Sequence, residues 1–178
     1  MTDQRQGGLN RANWLVRGAV GGILAGAVFL AATMWFATSV GDPAKGPLLM
    51  ISTIIKGDNA MMTGSASVGV GLVVHLGLSA LFGVVFALLA PRLRSNGALA
   101  VAGTLYGAAL YLLNFKILSP IAFPVFQMAN QPFELVVHVV FGTLLALTLF
   151  TVPSLAGARS ASRTERLAVP TPAQARAR

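Results

Sequence analysis

The chain has 178 residues, of which 55% are hydrophobic and only 10% charged, and its mean hydropathy is +0.73. A soluble domain carries about 25% charged residues, so this composition excludes a chain that hides its apolar side chains in its own core and calls for a lipid bilayer. The net charge of +8 sits at the ends of the apolar runs, which argues against nucleic acid as a partner, and the absence of cysteine removes disulfides, thiolate metal sites and Cys nucleophiles.

Residues 1–13 are polar and read as a short cytoplasmic N-terminal segment. A first apolar run follows over 14–40, too long for a signal-peptide core, and reads as a span. Trp14 and Trp35 stand about 31 Å apart on a helix, matching the ~30 Å hydrocarbon layer and its two aromatic belts. Between them Gly18, Gly22 and Gly26 form a stripe that lets another helix approach closely, in this chain or in a second copy of it. A homo-oligomer built on the glycine stripes is therefore one expectation.

The loop over 41–65 contains a short amphipathic piece. Pro47 can open a helical turn, Leu48, Ile51 and Ile55 share a face, and Gly57 ends it; the piece is too short to span and is expected to lie along the interface. The second span runs over 66–90 and stops at Pro91. The third, over 98–115, carries a second glycine stripe at Gly103 and Gly107. Residues 116–131 are apolar but hold Pro120 and Pro124, and read as a loop dipping into the interface. Pro132 suits the first turn of a fourth span, 132–152, and Pro153 closes it. The domain is thus 14–153, an all-α four-helix bundle in the membrane. Residues 154–178 are rich in Arg, Ala, Ser and Pro and are expected to be disordered.

Ten arginines, from Arg5, Arg11 and Arg17 through Arg92 and Arg94 to five in the tail, fall on one side of these spans; Lys45, Lys56 and Lys116 fall on the other. Cations stay cytoplasmic. Both termini are therefore expected on the cytoplasmic side of a bacterial inner membrane.

The two histidines stand in matching surroundings, Val73-Val74-His75 and Val136-Val137-His138. His75 is followed by Ser79 and Gly83, and His138 by Gly142 and Ala146, at helical spacing that puts each set on one face. Aligning the two motifs suggests a parallel 2+2 internal repeat, with chance similarity of valine-rich spans as the alternative. Counted from Pro91 and Pro153, the two rings lie at nearly equal depth in the outer half. Glu134, one turn from His138, puts a carboxylate where it can pair with an imidazole.

The positions His75, Ser79 and Gly83, then Ala90-Pro91-Arg92-Leu93, Gly103 with Gly107, Ser119-Pro120 and His138-Val139-Val140-Phe141-Gly142 resemble a family of small bacterial membrane proteins defined by a domain of unknown function. Ala90-Pro91 replaces the Tyr-Pro with which that family ends its second span. The resemblance covers the second to fourth spans. It implies a four-span inner-membrane protein and supplies no activity.

Ionisable residues inside spans are costly and mark functional sites by default. We expect His75, His138 and Glu134 to line one ligand or proton site, with Asn114 and Lys116 at its rim. The competing reading is structural, each imidazole tying down a neighbouring backbone carbonyl. No cofactor is required, although two facing histidines can ligate haem iron, and Met34, Met50, Met61, Met62 and Met128, all toward the lysine side, supply thioethers of the kind that bind Cu(I). No HExxH, triad order or phosphate loop supports catalysis. The sequence therefore favours a non-enzymatic transport, permeation or membrane-accessory module, with a haem or copper redox protein as the alternative.

Overall fold

The structure, a computed structural model, describes residues 2–93 and 95–150; the arginine-rich tail and Arg94 lie outside the described residues. The described chain is helical: α1 (Thr2–Ser39), α2 (Gly46–Lys56), α3 (Val68–Leu89), α4 (Asn96–Tyr111), α5 (Ser119–Ala122) and α6 (Gln131–Thr148). Four segments are long and apolar enough to cross a bilayer: Asn13–Ser39, Val68–Arg92, Asn96–Ala122 and Gln131–Thr148. Their outward faces are apolar. Val20, Leu24, Val73, Val101 and Leu105 are each more than half exposed, which water would penalise and lipid does not.

Three local results differ from expectation. The helix of α1 begins within the polar N-terminal residues, at Thr2. The third span does not stop at Phe115 but continues through a π-helical turn, Leu112–Leu118, into α5. Pro120 lacks an N–H and its ring clashes with the carbonyl four residues back in an α-helix. Ahead of it the ladder widens, and Ser119 N–H bonds Asn114 O, five residues back. The fourth helix ends at Thr148, one turn earlier than the Pro153 stop suggests.

Glycine decides the pairing of the long helices. A methyl built on Gly22 would strike the carbonyl of Ser79, and one on Gly18 would meet Gly83 and Ala87, so α1 and α3 pack backbone to backbone and antiparallel. Gly103 meets Gly142 and Ala146, and Gly107 meets the carbonyl of His138, which does the same for α4 and α6. Thr104 and Thr143 add a hydroxyl pair at 3.0 Å. Both stripes are thus filled by contacts within the chain.

These contacts set a correspondence different from the Val-Val-His alignment. Gly18 and Gly22 occupy the places of Gly103 and Gly107; Ser79, Gly83 and Ala87 occupy those of His138, Gly142 and Ala146. The shared landmark is Phe82-Gly83 and Phe141-Gly142, with Glu134 opposite His75. His75 therefore lies one turn, about 5.4 Å, farther from the glycine contact of its hairpin than His138 lies from that of its own.

One end of the bundle carries Arg17 and Arg92, the other Lys45, Lys56 and Lys116. At the arginine end, Arg17 packs over Trp14 and donates to the carbonyls of Thr148 and Phe150 at 3.0 and 3.1 Å, locking α1 to α6. This half is solid, filled by Phe86, Ala87, Leu99, Leu145, Ala146 and Leu149. The lysine half is not. Gly21 lets α1 close on Leu145 and Thr148 of α6. The corresponding residue on α4 is Tyr106, which packs against Phe86 with the rings tilted and donates to Phe82 O at 2.9 Å. It props α4 away from α3.

Candidate functional site

Between α3 and α4, in the lysine half, lies a cavity of about 370 Å³. That volume lies within the usual range for small-molecule sites, roughly 300–1,000 Å³. Its walls are Phe29, Leu78, Phe82, Leu113, Phe126 and other apolar side chains, and one region is polar: His75, Ser79, Asn114, Glu134 and His138. The sequence thus selected four of the residues that meet there. Lys116 is not among them; its Nζ donates to Gln131 Oε1 at 3.1 Å and lies over the Tyr111 ring.

His75 is 9% exposed and its Nε2–H donates to Gly26 O at 2.8 Å. The α1 carbonyl is within reach because the glycine stripe brings the two helices together. A neutral ring then leaves Nδ1 as an acceptor. No side-chain N or O among the described residues is both sealed in and unpartnered, so Nδ1, which has no protein partner, keeps some accessible surface on a ring that lines the cavity.

His138 is held by two bonds. Nδ1 donates to Glu134 O, one turn back, at 2.7 Å, and Asn114 Nδ2 donates to Nε2 at 3.4 Å. A neutral imidazole with its proton on Nδ1 satisfies both. Phe29, Phe115 and Tyr111 surround the ring edge to face, at centroid distances of 4.9, 5.5 and 6.1 Å. The expected neighbour of the imidazole is present, Glu134 Oε2 lying 3.8 Å from His138 Nδ1, while the short hydrogen bond of that nitrogen goes to the main-chain carbonyl. That carboxyl group has no hydrogen bond and faces the cavity.

The π-helical turn aims Asn114. Widened turns frequently mark functional sites, and here the extra residue brings the amide onto His138. The rest of the polar layer holds a cover in place. Gln127 donates to Phe115 O and Ser119 Oγ at 2.9 and 2.6 Å, Gln131 accepts from Tyr111 at 3.2 Å, and Asn130 caps α6.

The second cover is α2, too short to span as expected, and it packs on α3 through a face other than the Leu48, Ile51 and Ile55 face expected from the sequence. Leu48, Ser52 and Thr53 form its buried face, Ser52 and Thr53 being 0% and 1% exposed, while Ile55 is 70% exposed. Gly71 lets the backbone of Leu48 rest on α3, and Ser67 N–H donates to Ser52 Oγ at 3.1 Å. The two hydroxyls also bond their own helix carbonyls at 2.7 Å, which removes the cost of burying them. Pro47, Met50, Ile51 and Ile54 then roof the cavity.

Sequence reasoning missed Phe29, whose ring touches both imidazoles, at 5.6 Å from His75 and 4.9 Å from His138. It also missed Tyr106 as spacer. The signal for the first was present: Phe29 lies one turn from Gly26 on the face that meets His75.

The fold and the cavity define an all-α bundle with four helices apolar and long enough to cross a membrane and an apolar chamber in one half of the bundle. Comparison with family models, with curated proteins and with solved structures finds no match for the chain.

Proposed function

We propose that this is a non-enzymatic inner-membrane protein that binds an amphiphilic molecule in the chamber between α3 and α4, as a transport, permeation or accessory module. The observation that supports it most is the chamber itself: about 370 Å³, apolar over most of its wall, with His75 Nδ1 and the Glu134 carboxyl free of hydrogen bonds to the protein. A purely structural role for the pair would leave no such space. The cation asymmetry and the resemblance to small bacterial membrane proteins favour the arginine end as cytoplasmic, so the chamber opens in the outer half. The common glycine contacts of the α1–α3 and α4–α6 hairpins favour a duplicated hairpin in which Tyr106 replaced a glycine-type contact and opened the chamber.

The alternative, a haem or copper centre on His75 and His138, fits the residues poorly. The Phe29 ring lies against both imidazoles where a macrocycle would need a slot. His138 has both nitrogens engaged, and Met50 is the single methionine at the cavity.

The test is binding of a neutral fluorescent fatty alcohol to the protein in nanodiscs. Saturable binding that Leu78→Trp abolishes, with the variant still monodisperse, is the expected result. Binding unaffected by filling the chamber would refute the assignment.

A further inference from the structure

Resting on that reading, the unclaimed atoms of the chamber specify the head group of its ligand. Most of the protein's donors there are spent: His75 Nε2–H on Gly26 O, one N–H of Asn114 Nδ2 on His138 Nε2, His138 Nδ1–H on Glu134 O, Ser79 Oγ–H on His75 O at 2.7 Å and Thr33 Oγ1–H on Leu30 O at 2.9 Å, which leaves the second Asn114 N–H. What remains is dominated by acceptors. They are His75 Nδ1, Asn114 Oδ1 and the two carboxyl oxygens of Glu134.

Glu134 is also the one formally charged residue on the lining. The nearest cation along the chain, Lys116, is committed to Gln131 and to the face of Tyr111. Among the described residues no lysine or arginine pairs with Glu134. A carboxylate whose one ionisable neighbour is a neutral imidazole, His138 at 3.8 Å, is expensive in apolar surroundings unless a cation or donors meet it. The walls add phenyl rings, Phe29, Phe115 and Phe126, of the kind that attract a cation through their faces.

We propose that the chamber takes a lipophilic ammonium, an amphiphile whose apolar chain lies between α3 and α4 and whose N–H groups meet Glu134, His75 Nδ1 and Asn114 Oδ1. Glu134 acts as counter-ion. The acceptors discriminate against carboxylate and phosphate heads, which bring negative charge and no donor.

The experiment is displacement of the fluorescent fatty alcohol from the full-length protein in zwitterionic nanodiscs, by dodecylammonium and by dodecanol, each referred to its membrane-phase concentration. Dodecylammonium is expected to displace the reporter at a tenfold or more lower concentration than dodecanol. The ratio should fall to near one in Glu134→Gln and survive in Glu134→Asp, which keeps the carboxyl. Equal displacement by the two competitors in the wild-type protein leaves the chamber reading standing and overturns the ammonium assignment. A preference that persists in Glu134→Gln overturns it too, by locating the selectivity elsewhere. Failure of the reporter itself to bind overturns both. The wild-type ratio decides the matter even if Glu134→Gln does not fold.

Discussion

Replacement of Gly107 by alanine is the sharpest perturbation of the scaffold that holds the chamber. The added methyl would point at the peptide of His138, with the carbonyl carbon 2.9 Å away and Val139 Cα also 2.9 Å away. Carbon atoms in contact rest at about 3.5 Å or more, so α4 and α6 must part by roughly 0.6 Å. Neither neighbour is a flexible side-chain tip that can swing aside. Overpacking of this kind costs about 1–3 kcal/mol. Gly22→Ala meets Ser79 C at 3.0 Å and Gly83 Cα at 3.1 Å and belongs to the same class. Gly26→Ala meets Ser79 Oγ and, at 2.6 Å, Ser79 Cβ, which rotation of the side chain does not move, and belongs to the same class. Gly77→Ala has nothing within 4 Å and should be neutral or slightly stabilising. The assay is SDS titration from mild detergent micelles, with tryptophan fluorescence reporting separation of the helices. Equal midpoints for Gly107→Ala and Gly77→Ala would refute the backbone-contact argument, as would loss of stability in Gly77→Ala alone.

His75→Phe should express and insert, losing about 1 kcal/mol with its bond to Gly26 and losing reporter binding; a collapse in expression would instead make the ring structural. Gly71→Ala forces the carbonyl of Leu48 away and lifts α2 from α3. Faster release of the reporter in stopped-flow, with little change in thermal stability, is the expected signature. A cysteine at Met62, a residue 80% exposed at the lysine end, should label with an impermeant thiol reagent in intact cells, whereas one at the exposed Ala98, at the arginine end, should not. The reverse pattern would invert the proposed topology.

The spans, their glycine faces and the meeting of His75, His138, Glu134 and Asn114 were readable from sequence because lipid imposes a simple rule on each. Apolar runs must be helical, small residues must face helices, and ionisable groups must face protein. Three features escaped the same rules. The continuation of the third span past Phe115 depends on a π-helical turn, whereas proline by itself reads as a stop. The burial of α2 depends on Ser52 and Thr53 returning their hydroxyls to their own helix, so hydropathy assigns the buried face to Ile55 instead. The register of the two hairpins follows Phe82-Gly83 and Phe141-Gly142, because backbone contact at glycine fixes helix placement more tightly than an imidazole does. Val-Val-His was the more conspicuous string, and the glycine contacts match the two hairpins one turn away from it.

The central claim is that both imidazoles border one chamber with different atoms toward it. The presence of only two histidines makes it directly measurable by solid-state NMR of the protein labelled with ¹⁵N-histidine in bilayers, with His138→Phe to assign the signals. The account predicts one neutral ring protonated at Nε2, His75, and one protonated at Nδ1, His138, both in contact with a single phenylalanine ring, Phe29. Adding dodecanol should shift the His75 Nδ1 resonance and leave His138 Nε2, bonded to Asn114, much less changed. Identical tautomers, or a His75 Nδ1 resonance indifferent to the added amphiphile, would contradict it.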